Sequence, residues 1–125
     1  MTPLLMTPLL VVLGAGLGAP LRYLVDRVFR VYYGTTLPRG TFAVNVAGSA
    51  LLGLLIGAAA PPPVFALVGT GFCGALTTYS TFGLETMQLA ATGRRGSAVL
   101  NAFGSAAACL VTAGLGLALG ASARN

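Results

Sequence analysis

The residues able to do chemistry in this chain are polar groups set inside long apolar runs. There an unpaired donor or acceptor is costly, so such groups mark function more often than they do in soluble proteins. Asn45 stands within Gly40-Thr41-Phe42-Ala43-Val44-Asn45-Val46-Ala47-Gly48. Its amide donates two hydrogen bonds without carrying charge, which suits either an interhelical hydrogen bond or a donor lining an anion path. The run Gly71-Phe72-Cys73-Gly74-Ala75-Leu76-Thr77-Thr78-Tyr79-Ser80-Thr81-Phe82-Gly83-Leu84-Glu85 is denser still in polar groups. Its glycines, hydroxyls and β-branched positions weaken a helix and predict a break. The alternative is an ordinary helix whose hydroxyls bond back to the preceding turn. Unwound backbone at membrane depth persists only where it is buried in protein or lines a cavity, and such breaks often form ion sites. Tyr79 and Phe82 are three apart and can share a face, as can Phe82 and Glu85. Asn101, Ser105, Cys109 and Thr112 fall on one helical stripe by their spacings of four, four and three. Packing contacts and a polar track for an ion fit that stripe equally.

Four apolar segments must position these groups. Helices are expected at about 4–29, 41–60, 64–91 and 97–121, each long enough for the ~20 residues that cross a hydrocarbon core. The connections, including Pro61-Pro62-Pro63, are too short to hold a second domain. Residues 1–125 therefore read as one all-α, polytopic domain of four transmembrane helices with the third broken. The first segment lacks a charged start and a small-residue cleavage site, so it is expected to remain as a span. Gly14 and Gly18, Gly53 and Gly57, and Gly116 and Gly120 are each four apart. Each pair gives a helix face on which another backbone can approach closely. Gly14 to Ala19 also fits a loose dinucleotide-binding pattern, but the required strand and acidic residue are missing.

Composition supports the same class. Hydrophobic residues make up 56% of the 125 and charged residues 7%, with mean hydropathy +0.89. Soluble domains are about a quarter charged, so this chain lacks the means to cover a surface in water. The seven basic residues are all arginine, and only Asp26 and Glu85 oppose them. Few, scattered and not interleaved with exposed aromatics, they argue against a nucleic-acid partner. Histidine is absent, and Cys73 and Cys109 sit alone in apolar runs, which leaves no zinc site. Both thiols read as small buried apolar groups. Arg22, Asp26 and Arg30 follow at steps of four and predict an ion-pair ladder at a helix end. Glu85 is expected at a vestibule near the far end of the third segment.

Three blocks of this sequence resemble the small fluoride channels of the Fluc, or CrcB, family. Gly18-Ala19-Pro20-Leu21-Arg22-Tyr23 is similar to the family's first-helix Gly-Ala-x-x-Arg-Tyr block. Gly40 to Gly48 is similar to its Gly-Thr-x-x-Val-Asn-x-x-Gly block. Gly71-Phe72-Cys73-Gly74, followed by Thr77 to Phe82 and Glu85, is similar to its most distinctive signature. Together the blocks cover the whole membrane core. The resemblance implies a passive, highly selective fluoride channel rather than an enzyme, one that exports cytoplasmic fluoride and confers fluoride resistance. It implies a multi-pass protein of a prokaryotic plasma membrane, working as an antiparallel dimer with two pores. A structural sodium ion would be held at the dimer interface by the carbonyls of Gly74 and Thr77. Asn45, Tyr79 and Phe82 would line the pore. The family usually carries Phe where this chain has Tyr79, so the hydroxyl is a departure.

The chemistry is sound from below. Fluoride is small and strongly hydrated, so a pore must replace its water with donors. Asn45, the hydroxyls of Ser80, Thr81, Ser105 and Thr112, and the positive edges of Tyr79 and Phe82 are the candidates. A fixed sodium ion adds positive potential without a buried carboxylate. Arg22 and Glu85 are read as vestibule or helix-end charges. A small multidrug-type exporter would need a membrane-embedded carboxylate, which the first segment lacks, and aromatic cages for a cation. A non-conducting structural subunit would leave the polar break unexplained. Four crossings gather Arg22, Arg27, Arg30, Arg39, Arg94 and Arg95 on one side against Arg124 on the other. That bias predicts cytoplasmic arginine loops and both termini outside. A dual-topology homodimer needs nearly equal insertion both ways. The partner is accordingly either a second copy or an oppositely biased paralogue.

Overall fold

Apolar runs with no water to satisfy their backbone must close their hydrogen bonds internally, and this chain does so as helices throughout. The computed structural model describes residues 3–34 and 39–124, with the side chains of Pro3, Leu4 and Ser80 outside that description. The elements are α1 (Pro3–Tyr33), α2 (Arg39–Gly57), α3 (residues 62–76), α4 (Ser80–Ala91) and α5 (Arg95–Arg124). No strand occurs among the described residues. α3 and α4 are two halves of one span, Pro62–Ala91, so four helical spans are long and apolar enough to cross a membrane. The chain is a multi-pass membrane protein.

The helix ends follow from local chemistry. α2 stops at Gly57, short of the expected 60, because Ala59 adopts the left-handed conformation at φ 54°. Ala59 N–H then donates to Ile56 O at 3.1 Å and Ala60 N–H to Leu55 O at 3.0 Å. This is the paired closure of a Schellman turn, which normally takes glycine. α4 ends the same way with glycine in place, since Gly93 lies at φ 82° and Arg94 N–H reaches Leu89 O at 2.9 Å. α1 runs on to Tyr33, beyond the expected 29, and its last turns carry Arg30, which suits the negative end of a helix. The middle of α3, Phe65–Cys73, is wound as a π-helix, with Gly74 N–H reaching five residues back to Gly69 O. A second π-turn, Leu100–Gly104, lies in α5 and contains Asn101. Such wide turns are frequent at functional sites.

Packing places small residues inside and large ones outward, as expected where lipid is as apolar as leucine. α2 runs parallel to α5. A Cβ at Gly57 would meet the Leu117 carbonyl, and one at Gly120 the Leu54 carbonyl. α1 runs parallel to α3, where a Cβ at Gly14 would meet the Leu67 carbonyl. The buried positions include Val44, Ala66, Cys73, Leu76 and Ala98, while Leu17, Phe103 and Leu110 face outward. Two close-packed parallel pairs, antiparallel to each other, thus bracket the point where α3 gives way to α4.

Candidate functional site

The break lies at residues 77–79. Thr77 is extended at φ −79°, ψ 158°, and α4 resumes at Ser80. In a continuous helix Thr78 N–H would bond to Gly74 O, and Thr81 N–H to Thr77 O. Both donors are diverted. Thr78 N–H donates to Asn45 Oδ1 at 2.8 Å, and Thr81 N–H donates to Thr78 Oγ1 at 3.1 Å. Asn45 Nδ2 in turn donates to Thr78 O at 3.0 Å. One amide therefore takes both backbone groups of Thr78 and holds the helix open. The Thr78 hydroxyl acts on α4 as an N-cap side chain does, accepting from the residue three further on.

The carbonyls before the break divide accordingly. Cys73 O accepts Thr77 N–H at 3.0 Å and the Thr77 hydroxyl at 2.8 Å. Ala75 O accepts Arg22 Nε from α1 at 3.1 Å. Gly74 O and Thr77 O are carbonyls whose helical donors, Thr78 N–H and Thr81 N–H, bond elsewhere. Gly48 on α2 makes room beside them, since a Cβ there would run into the Thr77 methyl group.

A groove of about 630 Å³ opens on this side of the break. Asn45, Gly74, Thr77, Tyr79, Phe82 and Ser105 all line it. The Tyr79 and Phe82 rings stand 6.4 Å apart at 51°, within the range where one ring edge is offered past the other. Tyr79 is 86% exposed. Behind the break lies a smaller hollow of about 200 Å³, lined by Arg22, Tyr23, Asp26, Thr41, Thr78 and Thr81. Thr78 borders both.

Residues 9–117 match the family model described as CrcB-like protein, Camphor Resistance (CrcB). The chain belongs to the CrcB family. Among its relatives, "Fluoride-specific ion channel FluC 1" of Frankia casuarinae is 53% identical, over 89% of this chain and 93% of that protein. The protein of the same name from Streptomyces avermitilis is 52% identical, over 88% of each chain. "Fluoride-specific ion channel FluC 2" of Rhodococcus jostii is 50% identical, over 91% of this chain and 98% of its own length. The CrcB family is one of ion channels, not enzymes.

In this CrcB chain the remaining expected residues fall in several places. Thr81 lines the smaller hollow rather than the groove. Thr112 lines neither; its hydroxyl donates to Cys109 O at 3.1 Å and Val46 O at 3.4 Å, joining α5 to α2. The Ser80 side chain lies outside the described residues. Along the α5 stripe, Asn101 Nδ2 donates to the Thr86 hydroxyl at 2.7 Å, and Ser105 Oγ to Asn101 Oδ1 at 3.3 Å. The stripe thus faces α4 and α2, and Ser105, which is buried, joins it to the groove. Glu85 is half-buried and accepts the Thr41 hydroxyl from α2. The charge ladder forms its Asp26–Arg30 rung, at 2.8 Å. Arg22 turns instead to Ala75 O, at the end of α3 where carbonyls lack helical donors, while Asp26 pairs with Arg30.

The sequence reading gave no role to Thr78 or to Gly48. Thr78 had a readable signal, a hydroxyl three residues before a backbone N–H at a helix start. Gly48 had none of its own, since only the neighbouring helix reveals the collision.

Proposed function

We propose that this chain is a subunit of a passive, fluoride-selective channel that lets cytoplasmic fluoride leave the cell and so confers fluoride resistance. The observation that carries the reading is the Asn45–Thr78 clamp, which opens the helix beside a groove edged by Tyr79 and Phe82. Asn45 Nδ2 spends one N–H on Thr78 O and has a second. With the two ring edges, it offers neutral donors to a small anion without a charged side chain to trap it. Hydrogen fluoride enters cells neutral and ionises inside, so a passive leak for the anion suffices. The fluoride in the names of FluC relatives supports the choice of ion.

The pore is incomplete in one subunit. Tyr79 sits near the middle of the Pro62–Ala91 span with its ring largely uncovered. A phenol facing hydrocarbon lacks the partner its hydroxyl needs. An antiparallel second subunit would cover it and bring its own groove against this one. The Gly74 and Thr77 carbonyls, freed by the diverted donors, suit a hard monovalent cation held by backbone dipoles alone. A sodium ion bound there would supply fixed positive potential beside the anion path. The six-to-one arginine bias favours an oppositely biased paralogue as partner. Relatives numbered FluC 1 and FluC 2 support that preference.

Reconstitution tests both levels. Liposomes carrying this chain alone, or the chain with such a paralogue, are loaded with fluoride or chloride. Rapid passive fluoride efflux, far above chloride, is expected only when both subunits are present. Efflux from the chain alone would assign a homodimer. Efflux no faster than from empty vesicles in either preparation would overturn the channel.

A further inference from the structure

The carbonyls at the end of a helix lack helical partners and concentrate negative potential, so cations gather there. At the end of α3 two cations have a claim. One is on the page: Arg22, on α1, reaches across 53 residues of sequence to place Nε 3.1 Å from Ala75 O. The other is the sodium ion proposed for the carbonyls of Gly74 and Thr77, which lie on either side of Ala75. We infer that Arg22 is the positioning residue of that cation site: by holding the Ala75 carbonyl, it reserves the Gly74 and Thr77 carbonyls for the ion. The inference rests on the sodium reading of the break.

Three observations converge on it. Ala75 O lost its own helical donor when residues 77–79 unwound, so without Arg22 it would be one more bare oxygen in the same turn. Asn45 clamps the break from the α2 side and Arg22 from the α1 side, which leaves the segment between them little freedom. Finally, Arg22 borders the small hollow behind the break rather than the groove in front of it. Its charge therefore stands off the anion path. A backbone site is only as selective as its oxygens are fixed, and an unheld Ala75 carbonyl would swing among its neighbours.

The bond, not the charge, is what this role requires, and side-chain shape separates them. Glutamine carries Nε2 at the same distance along its chain as Arg Nε, so Arg22→Gln keeps the donor without the charge. Arg22→Met has a similar shape and no donor. The assembled channel is unfolded by heat while sodium chloride replaces N-methylglucamine chloride at constant ionic strength. Wild type and Arg22→Gln are expected to be half-stabilised at the same sodium concentration within about twofold. Arg22→Met is expected to need about tenfold more, which corresponds to ~1.4 kcal/mol. An unshifted midpoint in Arg22→Met overturns the inference, and so does an equal shift in Arg22→Gln, which would make the charge the active part. A wild type indifferent to sodium would instead overturn the sodium reading itself. Should Arg22→Met fail to assemble, Arg22→Lys decides: it keeps the charge but carries its donor one bond farther out. A severalfold rise in its midpoint supports the bond, and an unchanged midpoint overturns it.

Discussion

Asn45 is where the smallest change in this protein has the largest reach. Its side chain serves as acceptor and donor to one residue, Thr78, so the two halves of the amide are separable by mutation. Asn45→Asp keeps the acceptor for Thr78 N–H, loses the donor to Thr78 O and places a carboxylate beside the groove. Fluoride efflux should fall at least a hundredfold while the assembly survives. Asn45→Ala removes both bonds and leaves two half-buried backbone groups unpaired, at a cost of up to about 1–3 kcal/mol each. Its thermal unfolding midpoint should drop well below that of Asn45→Asp, and equal midpoints would reassign the stability to other contacts. Phe82→Ile removes a ring edge at similar bulk, so efflux should be abolished or greatly slowed while the size-exclusion profile stays that of wild type. Wild-type efflux in that variant would take Phe82 out of the pore.

At the scale of elements, the break is held open by packing that never touches an ion. α2 approaches α5 closely enough that Gly53 and Gly57 face neighbouring backbone, and it approaches the break closely enough that Gly48 faces the Thr77 methyl group. Gly57→Ala drives a methyl group toward the Leu117 carbonyl, and overpacking of that kind costs about 1–3 kcal/mol. Gly114→Ala, on the open face of α5, meets nothing within 4 Å. It should leave stability unchanged or slightly raised, since alanine is the better helix former. Comparing the two unfolding midpoints separates tight packing from glycine content, and equal effects would refute the close approach. Gly48→Ala differs from both because its methyl group would collide with Thr77. It should slow efflux more than it lowers the unfolding midpoint, since the displaced residue belongs to the break.

The whole molecule has a direction. Arginines collect at the ends of α1 and α4 and the starts of α2 and α5, and these ends share one side of the bundle. A reporter fused after Arg124 should therefore lie outside the cytoplasm in the great majority of chains. An even split between the two orientations would make the chain dual-topology and remove the reason to expect a paralogue. The same directionality explains why the two close-packed pairs each run parallel. Both members of a pair begin on one side, so matching glycine faces can run in register along their length.

Four spans, an interrupted third and the arginine asymmetry were all legible in the sequence, because each depends on local composition. A run of apolar residues must be helical in lipid wherever its neighbours lie, and glycines with hydroxyls weaken a helix by themselves. The three family-like blocks likewise singled out Asn45, Gly74, Thr77, Tyr79 and Phe82, which the fold brings to one groove. The tertiary structure decided what each polar group bonds to, and hydrogen-bond partners are long-range facts. Nothing near Asn45 in sequence announces Thr78, 33 residues away, as the residue it clamps. Spacing gave Arg22 to Asp26, four residues on, whereas folding gave it to a carbonyl that exists as a free acceptor only because another helix has opened there. Local chemistry determined that the helix would break; only the packing of α1 and α2 around that break determined which carbonyls it would leave bare.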